Sequence, residues 1–299
     1  MTEIRAELEG RTLKITNLDK VLYPVTGTTK AEVLDYYLRI APVLLPHLAD
    51  RAVTRIRWPH GVGGESFFEK NRPAGAPRWM RTAKVPTTGS RTVEGKAGEL
   101  VFPIVDGAPA LAYLVNLASL ELHVHQWWVD DDGEVQPPNR LVIDLDPGPE
   151  IGLMQCAEVA LLVRDALAGH DLDSWPVTSG SKGLHLYAPL DGSLSSDDAS
   201  DLAREVAEAL QSSHPKLVTA TMTKARRHGK VFLDWSQNAG SKTTVSPYSL
   251  RGTERPWVAT PRTWAEIEAG ADDEFGLEQC TFTEVLDRVA EHGDLFGIA

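Results

Sequence analysis

The stretch RLVIDLDPG, from Arg140 to Gly148, constrains the fold of this chain more than any other segment. A Pro-Gly turn ends the segment. The run before it predicts a buried strand, because four of its residues are apolar: Leu141, Val142, Ile143 and Leu145. Asp144 and Asp146 stand two positions apart, so a strand points both carboxylates to one face. Two adjacent anions repel each other unless a cation lies between them. The segment therefore predicts either a rigid mount for a cation site or a strand end with two solvated acids.

A third carboxylate favours the cation site. In VFLDWS, Asp234 follows a second apolar run, where an acid is unusual unless it is paired or binds a metal. Carboxylates from two strands suit Mn²⁺ or Mg²⁺, and two such ions support an in-line phosphoryl displacement. The alternative for Asp234 is a salt bridge to the basic loop just before it.

The order of elements predicts an α+β fold. Strand-like segments such as AVTRIRWP, ESFFEKN and ELVFPIV mix with helix-like segments and hairpins, without a regular βαβ alternation. A helix is predicted over TTKAEVLDYYLRIAPVLLPHLAD, with a capping box at Thr29 and Glu32 and a kink or break at Pro42. A further helix is expected over ALAYLVNLASL, and a strand over ELHVHQWWVD with His123, His125 and Trp127 on one face. The 299 residues allow one domain, 1–299, of two intimately packed subdomains, with the catalytic motifs in 120–255.

The charge is unevenly distributed along the chain. The formal net charge is -12, yet residues 1–100 carry a net +5 and residues 216–255 a net +6. A basic face on an acidic body is one interpretation, and an accidental block pattern is the other. No signal segment or apolar run of membrane-spanning length is present, so a cytoplasmic protein is expected. Cys156 and Cys280 are predicted to be reduced and buried.

Several segments have the chemistry to bind phosphate. TSGSKGLHLY places Ser179 and Lys182 in a Gly-rich turn, where backbone N–H groups, hydroxyls and an ammonium suit a phosphate. The spacing is not that of a Walker A motif, and a polar hairpin turn is the simpler interpretation. His123 and Arg251 are further candidates, although each is ordinary taken alone, and His185 is by default a core histidine.

Other groups suit nucleic acid. Phe67 and Phe68 are adjacent in FFEKN, so one is expected in the core and the other exposed for base stacking. Lys20 and Lys30 flank a Pro/Gly turn and suit a phosphate, although singly each is a routine solvated residue. The loop KARRHGK, which contains Arg227, puts positive charge directly before Asp234.

Taken together, these motifs resemble the polymerase domain of bacterial ATP-dependent DNA ligase D, in the archaeo-eukaryotic primase superfamily. The resemblance extends over nearly the whole chain and is strongest to mycobacterial members. It runs through TNLDKVLYPVTGTTK, RWPHGV, FFEKN, LELHV, RLVIDLDPG, PVTSGSKGLHLY, TMTKARRHGKVFLDWSQN, GSKTTVSPYSLRG and PRTWAE. It implies a primase-polymerase fold, with an RRM-like catalytic sheet packed on a second α/β layer.

The resemblance also implies a function and a set of site residues. The function is nucleotide addition at DNA ends in non-homologous end joining, with ribonucleotides and manganese preferred, and with Ku and a ligase as partners of a monomer. Asp144, Asp146 and Asp234 match the metal-binding carboxylates. The family residues that hold the incoming nucleotide are matched here by His123, Ser179, Lys182, Gln237 and Arg251. Lys20 and Lys30 match the family pair that recognises the 5′-phosphate of a downstream strand. Phe67 and Phe68 match the aromatic residues that stack on template bases. Arg227 matches a loop arginine near the active site.

The chain departs from the family pattern in two places. HVHQWWVDDDGEVQPP has a local sequence of its own, which leaves His125 as an alternative to His123. RTAKVPTTGSRTVEGKAGEL differs in a region that lies near DNA in the family. No ligase motif is present, and a free-standing paralogue is expected rather than an excised domain.

Three rival functions remain from the sequence. A glycosyltransferase using the two aspartates gives no reason for Lys20, Lys30 or FFEKN. A non-catalytic DNA-end binding module gives no reason for three carboxylates. A primase that makes primers de novo shares the chemistry and differs only in biology.

Overall fold

The computed structural model of the chain describes residues 3–87 and 98–298. Within them, the α-helices are α1 (Lys30–Leu48), α2 (Ala108–Asn116), α3 (Leu153–Ala168), α4 (Ser196–Ser213), α5 (Trp264–Asp272) and α6 (Phe282–His292). Two short 3-10 helices lie at Lys224–Arg226 and Trp235–Asn238. The strands are β1 (Glu3–Leu8), β2 (Arg11–Thr16), β3 (Val21–Tyr23), β4 (Thr28–Thr29), β5 (Val53–Arg57), β6 (Phe67–Glu69), β7 (Thr82–Thr87), β8 (Gly98–Pro103), β9 (Ser119–Val124), β10 (Trp128–Val129), β11 (Val135–Gln136), β12 (Arg140–Pro147), β13 (Trp175–Thr178), β14 (Leu184–Pro189), β15 (Val218–Thr219), β16 (Val231–Asp234), β17 (Thr244–Val245), β18 (Trp257–Val258), β19 (Thr260–Pro261) and β20 (Cys280–Thr281).

Strand β12 lies inside a six-stranded sheet of order β15-β16-β12-β14-β13-β19. Only the pairing of β15 with β16 is parallel in this sheet. Leu141, Ile143 and Leu145 are fully buried and share a core with α3 and α4. Because side chains alternate along a strand, Asp144 and Asp146 lie together on the opposite face, as predicted.

A second sheet, of order β17-β9-β5-β6, belongs to the other large core, together with α1, α2 and α6. Val142 and Tyr187 of the six-stranded sheet contribute to this core as well. The Tyr187 hydroxyl donates to the carbonyl of Val245 on β17, at 3.2 Å. The six-stranded sheet is therefore covered by helices on one face and by the second layer on part of the other.

Helix α1 begins as predicted and is not divided at Pro42. Thr29 and Glu32 form the capping box. The helix runs on through Pro42 and Pro46 without a break. Buried residues on both sides of Pro42, among them Ile40 and Leu44, hold the helix in the core, and this packing outweighs the backbone hydrogen bond that proline removes.

Two sequence predictions of local structure were wrong at their boundaries. The helix predicted over ALAYLVNLASL ends at Asn116, and Ser119 already begins β9. The strand predicted over ELHVHQWWVD ends at Val124, so His125 and Trp127 lie outside it. Helix α5, which begins at Trp264 in an acidic segment, was not predicted from the sequence, because its short length and internal Gly270 weaken the helical pattern.

The divergent segment RTAKVPTTGSRTVEGKAGEL contributes to a β-hairpin. Strands β7 and β8 pair in register from Thr82 with Pro103 to Thr87 with Gly98. Residues 88–97, the centre of the divergent segment, lie outside the described residues. Cys156 and Cys280 are buried free thiols, as expected. In residues 3–87 and 98–298, no helix is both long and apolar enough to cross a bilayer.

Candidate active site

The three aspartates meet through the register of two adjacent strands. Asp144 lies directly opposite Asp234 in the pairing of β12 with β16, and opposite His185 in the pairing with β14. Directly opposite residues of an antiparallel pair point to the same face, with Cβ atoms about 5 Å apart. Asp146 lies on the same face two residues further along. The sequence prediction that Asp234 comes close to the other two is therefore met by the backbone.

Polar neighbours hold two of these carboxylates in place. Nε2 of His185 lies 3.3 Å from Oδ1 of Asp144. Nε2 of Gln237 donates to Oδ2 of Asp234 at 3.1 Å and approaches Oδ2 of Asp144 at 3.5 Å. The backbone N–H and hydroxyl of Ser236 donate to the other oxygen of Asp234. Within the described chain no lysine or arginine forms a salt bridge with Asp234, so the basic-loop alternative is not observed.

Asp146 has a different environment from its neighbours. Its side chain faces the open cleft. Partial burial, together with the negative charges of Asp144 and Asp234, raises its pKa to about 6, against the opposing effect of His185. Excess negative charge of this kind favours a bound cation. The donors are all oxygen, as Mn²⁺ and Mg²⁺ prefer.

The side chains do not yet form a closed metal site. Within the part of the chain described by the structure, no three His, Cys, Asp or Glu side chains converge closely enough to hold a metal ion. Asp144 and Asp234 instead turn toward His185, Gln237 and Ser236. The backbone thus supplies the aspartates in the expected places, while polar neighbours hold the side chains of Asp144 and Asp234.

A cleft of about 330 Å³ opens over Asp144 and Asp146. Its walls combine acid at the floor with cations and hydroxyls at the rim. They are formed by Asp144, Asp146, Pro147, Ser179, Ser181, Lys182, Gly183, His185, Arg227 and Arg251. Predicted metal-binding and phosphate-binding residues from distant parts of the sequence are therefore neighbours in one cavity.

The Gly-rich turn after β13 is more tightly bonded than the sequence suggested. Ser179 Oγ accepts from the N–H groups of Ser181 and Gly183, and the N–H of Gly180 donates to Gln279. The N–H of Ser179 donates to the carbonyl of Gly183. Most of the backbone donors predicted to cradle phosphate are thus used inside the turn. The exposed side chain of Lys182 and the serine hydroxyls remain to contact a ligand.

Gln279 was not singled out from the sequence. Its Oε1 accepts from Gly180 at 2.8 Å, and its Nε2 lies 3.4 Å from the carbonyl of Gly183. It therefore fastens both ends of the turn. The turn also packs closely on β12, since a side chain at Gly183 would collide with the carbonyl of Leu145.

His123 and Arg251 meet at a buried acid, Glu121, which was also not singled out. Oε2 of Glu121 lies 2.7 Å from Nε2 of His123. Its Oε1 lies 3.3 Å from Nε of Arg251 and accepts the N–H of Gly252 at 2.8 Å. Arg251 in turn donates to the carbonyl of Ser179 at 2.7 Å. The only advance signal was the spacing of Glu121 and His123, which places both on one face of β9.

His125 lies elsewhere. Its ring is buried, stacks on Trp127 with centroids 4.1 Å apart, and packs edge-on against Phe102. Burial, reinforced by the charge of Lys70, lowers its pKa to about 3. Of the two histidines left open by the sequence, His123 is the one that lies beside Arg251.

Lys20 and Lys30 flank the β3–β4 hairpin but differ in exposure. Lys30 is buried, not solvated as its sequence context suggested, and its ammonium donates to the carbonyl of Thr16 and to Asn116 at 2.5 and 2.6 Å. Burial and the nearby charge of Lys20 lower the pKa of Lys30 to about 8. The ammonium of Lys20 donates to the carbonyl of Pro59.

The lysine hairpin is joined to the cleft. The hydroxyl of Tyr23, on β3, donates to the carbonyl of Arg251 at 2.8 Å. The ring of Trp58, next to Pro59, packs so closely on Gly252 that a side chain there would collide with it. The two lysines and Arg251 are therefore held in one packed unit.

Phe67 and Phe68 are both exposed, which corrects the expectation that one would be in the core. Their exposed fractions are 39% and 57%. They lie on β6, a three-residue edge strand of the four-stranded sheet, too short and too marginal to bury either ring. The ammonium of Lys70 lies 6.0 Å from the ring centre of Phe68.

Arg227 lines the cleft as predicted. Its guanidinium lies 3.5 Å from the ring centre of Phe232, which is opposite Asp146 on β16. It also donates to the carbonyl of Met222 at 2.9 Å. The basic loop therefore folds back over the end of the carboxylate strands.

The family model of the LigD primase-polymerase domain matches residues 29–296 of the chain. The chain belongs to the LigD primase-polymerase family. The multifunctional non-homologous end joining protein LigD of Mycolicibacterium smegmatis is 53% identical over 95% of this chain and 35% of its own length. The Mycobacterium tuberculosis protein, a multifunctional non-homologous end joining DNA repair protein LigD, is 51% identical over 94% of this chain and 36% of its own. The chain thus spans about a third of the length of these relatives.

The LigD fold is matched in three dimensions as well. The polymerase domain of Mycobacterium tuberculosis ligase D, solved in complex with DNA, is similar with a TM-score of 0.86 and 51% identity. The match covers 95% of this chain and 96% of that one. The predicted α+β class and archaeo-eukaryotic primase fold are confirmed, as is the resemblance to LigD polymerase domains.

Proposed function

We propose that the chain is a nucleotidyltransferase that adds nucleotides to a primer 3′-hydroxyl in gap filling and non-homologous end joining. The observation that carries this proposal is the register of β12 and β16, which sets Asp144 opposite Asp234 beneath a cation-rimmed cleft. Membership of the LigD primase-polymerase family supports the same reaction class.

The residues of the cleft divide the chemistry between them. Asp144, Asp146 and Asp234 would hold two Mn²⁺ or Mg²⁺ ions, which when bound lower the pKa of the primer hydroxyl and neutralise the triphosphate. The 3′-hydroxyl loses its proton to solvent, its oxygen forms a bond to the α-phosphorus, the bond from that phosphorus to the oxygen bridging to the β-phosphate breaks, and pyrophosphate leaves. Lys182 and Arg251, with the Ser179 hydroxyl, offset the negative charge of the β- and γ-phosphates. His123 and Gln237 border the same nucleotide.

The DNA would approach along the exposed surface beside the cleft. Phe67 and Phe68 offer two exposed rings for stacking on template bases, and Lys20 and Lys30 would recognise the 5′-phosphate across a gap. Arg227 would contact DNA near the reacting atoms. We expect ribonucleotides to be preferred, and Ku and an ATP-dependent ligase to be partners of a monomeric, nucleoid-associated protein.

The test is a Mn²⁺-dependent primer extension assay on gapped DNA, with and without a 5′-phosphate, using NTP or dNTP. Chelation with EDTA should stop extension, and Mn²⁺ should restore it. Asp144→Ala should abolish extension while leaving gapped-DNA affinity largely intact, because the carboxylate acts in the chemical step. Asp201→Ala, on an exposed face of α4, is the matched control and should extend normally.

Full extension by the Asp144→Ala variant would contradict the assignment of Asp144 to the chemical step. Extension of an unprimed single-stranded template would indicate de novo priming instead. Gap affinity without extension under any metal would leave only a DNA-end binding module.

A further inference from the structure

Glu121 is a buried acid in the middle of a strand, with only 5% of its surface exposed. A carboxylate in such a place is costly unless every oxygen is paired. Both of its oxygens are engaged, and each serves a different part of the site. Oε2 contacts His123, and Oε1 contacts Arg251 together with the N–H of Gly252.

These contacts join the two sheets at the cleft. Glu121 and His123 belong to β9 of the four-stranded sheet. Arg251 extends from there to the carbonyl of Ser179, at the start of the Gly-rich turn of the six-stranded sheet. A single carboxylate therefore sets the position of two candidate nucleotide-binding groups relative to the turn.

The electrostatics agree with the geometry. Burial alone raises the pKa of Glu121, but the hydrogen bond with His123 and the charge of Arg251 outweigh it, and the pKa falls to about 2. The acid is therefore ionised at neutral pH and compensates part of the charge of Arg251. The chain of contacts leaves the rest of the guanidinium in the cleft wall.

We propose that Glu121 is a positioning residue for nucleotide binding, which holds His123 and Arg251 ready for the triphosphate. The proposal rests on the proposed function, since it concerns the same nucleotide. Glu121 lies behind these two groups, so it acts through them.

The experiment uses Glu121→Gln in the full chain. The amide keeps the shape and the acceptor for Gly252 but removes the charge and presents a donor to His123 or Arg251. Loss of a charge-assisted contact of this kind should raise the KM for NTP, and the dissociation constant of a fluorescent NTP, about tenfold or more. The kcat and the affinity for gapped DNA should change much less.

Glu266→Gln is the matched control. Glu266 likewise has a pKa lowered to about 2 and pairs with two arginines, Arg262 and Arg288, at 2.9 and 2.8 Å. It caps α5 and does not line the cleft. Glu266→Gln should lower thermal stability about as much as Glu121→Gln does, and it should leave nucleotide binding unchanged.

The outcomes separate cleanly. Nucleotide affinity that is unchanged in folded Glu121→Gln, or weakened equally in Glu266→Gln, would overturn the positioning role. A wild-type protein that binds NTP without extending primers would overturn the proposed function alone, because the affinity ratio of the variants still decides the role of Glu121. Failure of the wild type to bind NTP would overturn both.

Discussion

At the scale of single residues, the two lysines that flank the β3–β4 hairpin should contribute differently to DNA binding and to stability. The ammonium of Lys30 is buried and bonds to Thr16 and Asn116, whereas Lys20 is partly exposed. Lys20→Ala should therefore weaken binding to a 5′-phosphorylated gap with little change in Tm. Lys30→Ala should weaken the same binding and also destabilise the fold by about 1–3 kcal/mol, because it removes two hydrogen bonds that a buried ammonium donates. Fluorescence anisotropy and thermal unfolding measure the two effects.

The control for both lysines is the same gapped DNA without its 5′-phosphate. Affinity for that DNA should be nearly unaffected by Lys20→Ala. An equal loss of affinity for both DNAs would mean that Lys20 contacts the backbone generally and does not read the terminal phosphate.

Residue chemistry was predictable where the pattern was local. Asp144 and Asp146 are two positions apart, so the strand period alone placed them together. Glu121 and Gln279 were not predictable, because their partners Gly252 and Gly180 lie 131 and 99 residues away in the chain. Contacts of that separation follow from how the sheets pack, and no short motif encodes them.

At the scale of elements, the end of β12 and the basic loop form one tight junction. The N–H of Gly148 donates to the carbonyl of Lys230 at 2.9 Å, and any side chain at Gly148 would collide with the carbonyl of Arg227. Gly148→Ala should push this loop away from the cleft. Because small displacements of a site are costly, we expect primer extension to slow by about tenfold or more.

Steady-state extension kinetics check this effect of Gly148→Ala. Gly240→Ala is the matched substitution, since its new methyl group would make only ordinary contacts with Ser196, at 3.5 Å and beyond. A Gly148→Ala enzyme as fast as Gly240→Ala would show that the loop position is not critical.

Element boundaries were predictable where capping chemistry was present. Thr29 with Glu32 marked the start of α1 correctly. The end of β9 at Val124 was not predictable, because the alternating pattern continues through His125 and Trp127. Those two rings leave the sheet to pack with Phe102 in a small separate core, and that tertiary packing overrides the pattern.

At the scale of the whole molecule, His125 makes the free energy of unfolding depend on pH. Burial holds its pKa at about 3, against about 6.5 for an unfolded histidine. The unfolded chain therefore binds a proton first, so this contribution to stability is complete above pH 6.5 and is lost as the pH falls toward 3. At pH 5 the loss is about 2 kcal/mol.

His125→Phe should remove this pH dependence while preserving the aromatic stack. Urea unfolding at pH 7.5 and pH 5 should show a smaller loss of unfolding free energy in His125→Phe than in the wild type. His170→Gln, an exposed substitution, should follow the wild type. Equal losses in all three proteins would contradict a buried neutral His125.

The class of the whole fold was predictable from the mixture of strands, helices and hairpins, but the arrangement of its layers was not. Val142 faces the core of the four-stranded sheet, while its neighbours Leu141 and Ile143 face α3 and α4. A strand buried on both faces reads as a continuous apolar run, so the sequence cannot assign each side chain to a layer.

The pairing of Asp144 with Asp234 also has a consequence for folding fidelity. If β16 slid by one residue along β12, Leu233 would enter the polar cleft and Asp234 would enter the core that contains Leu145 and Val231. Both changes are unfavourable, and they occur together. The carboxylates thus also help to select the correct strand register, because a misaligned sheet is less stable even before any substrate is present.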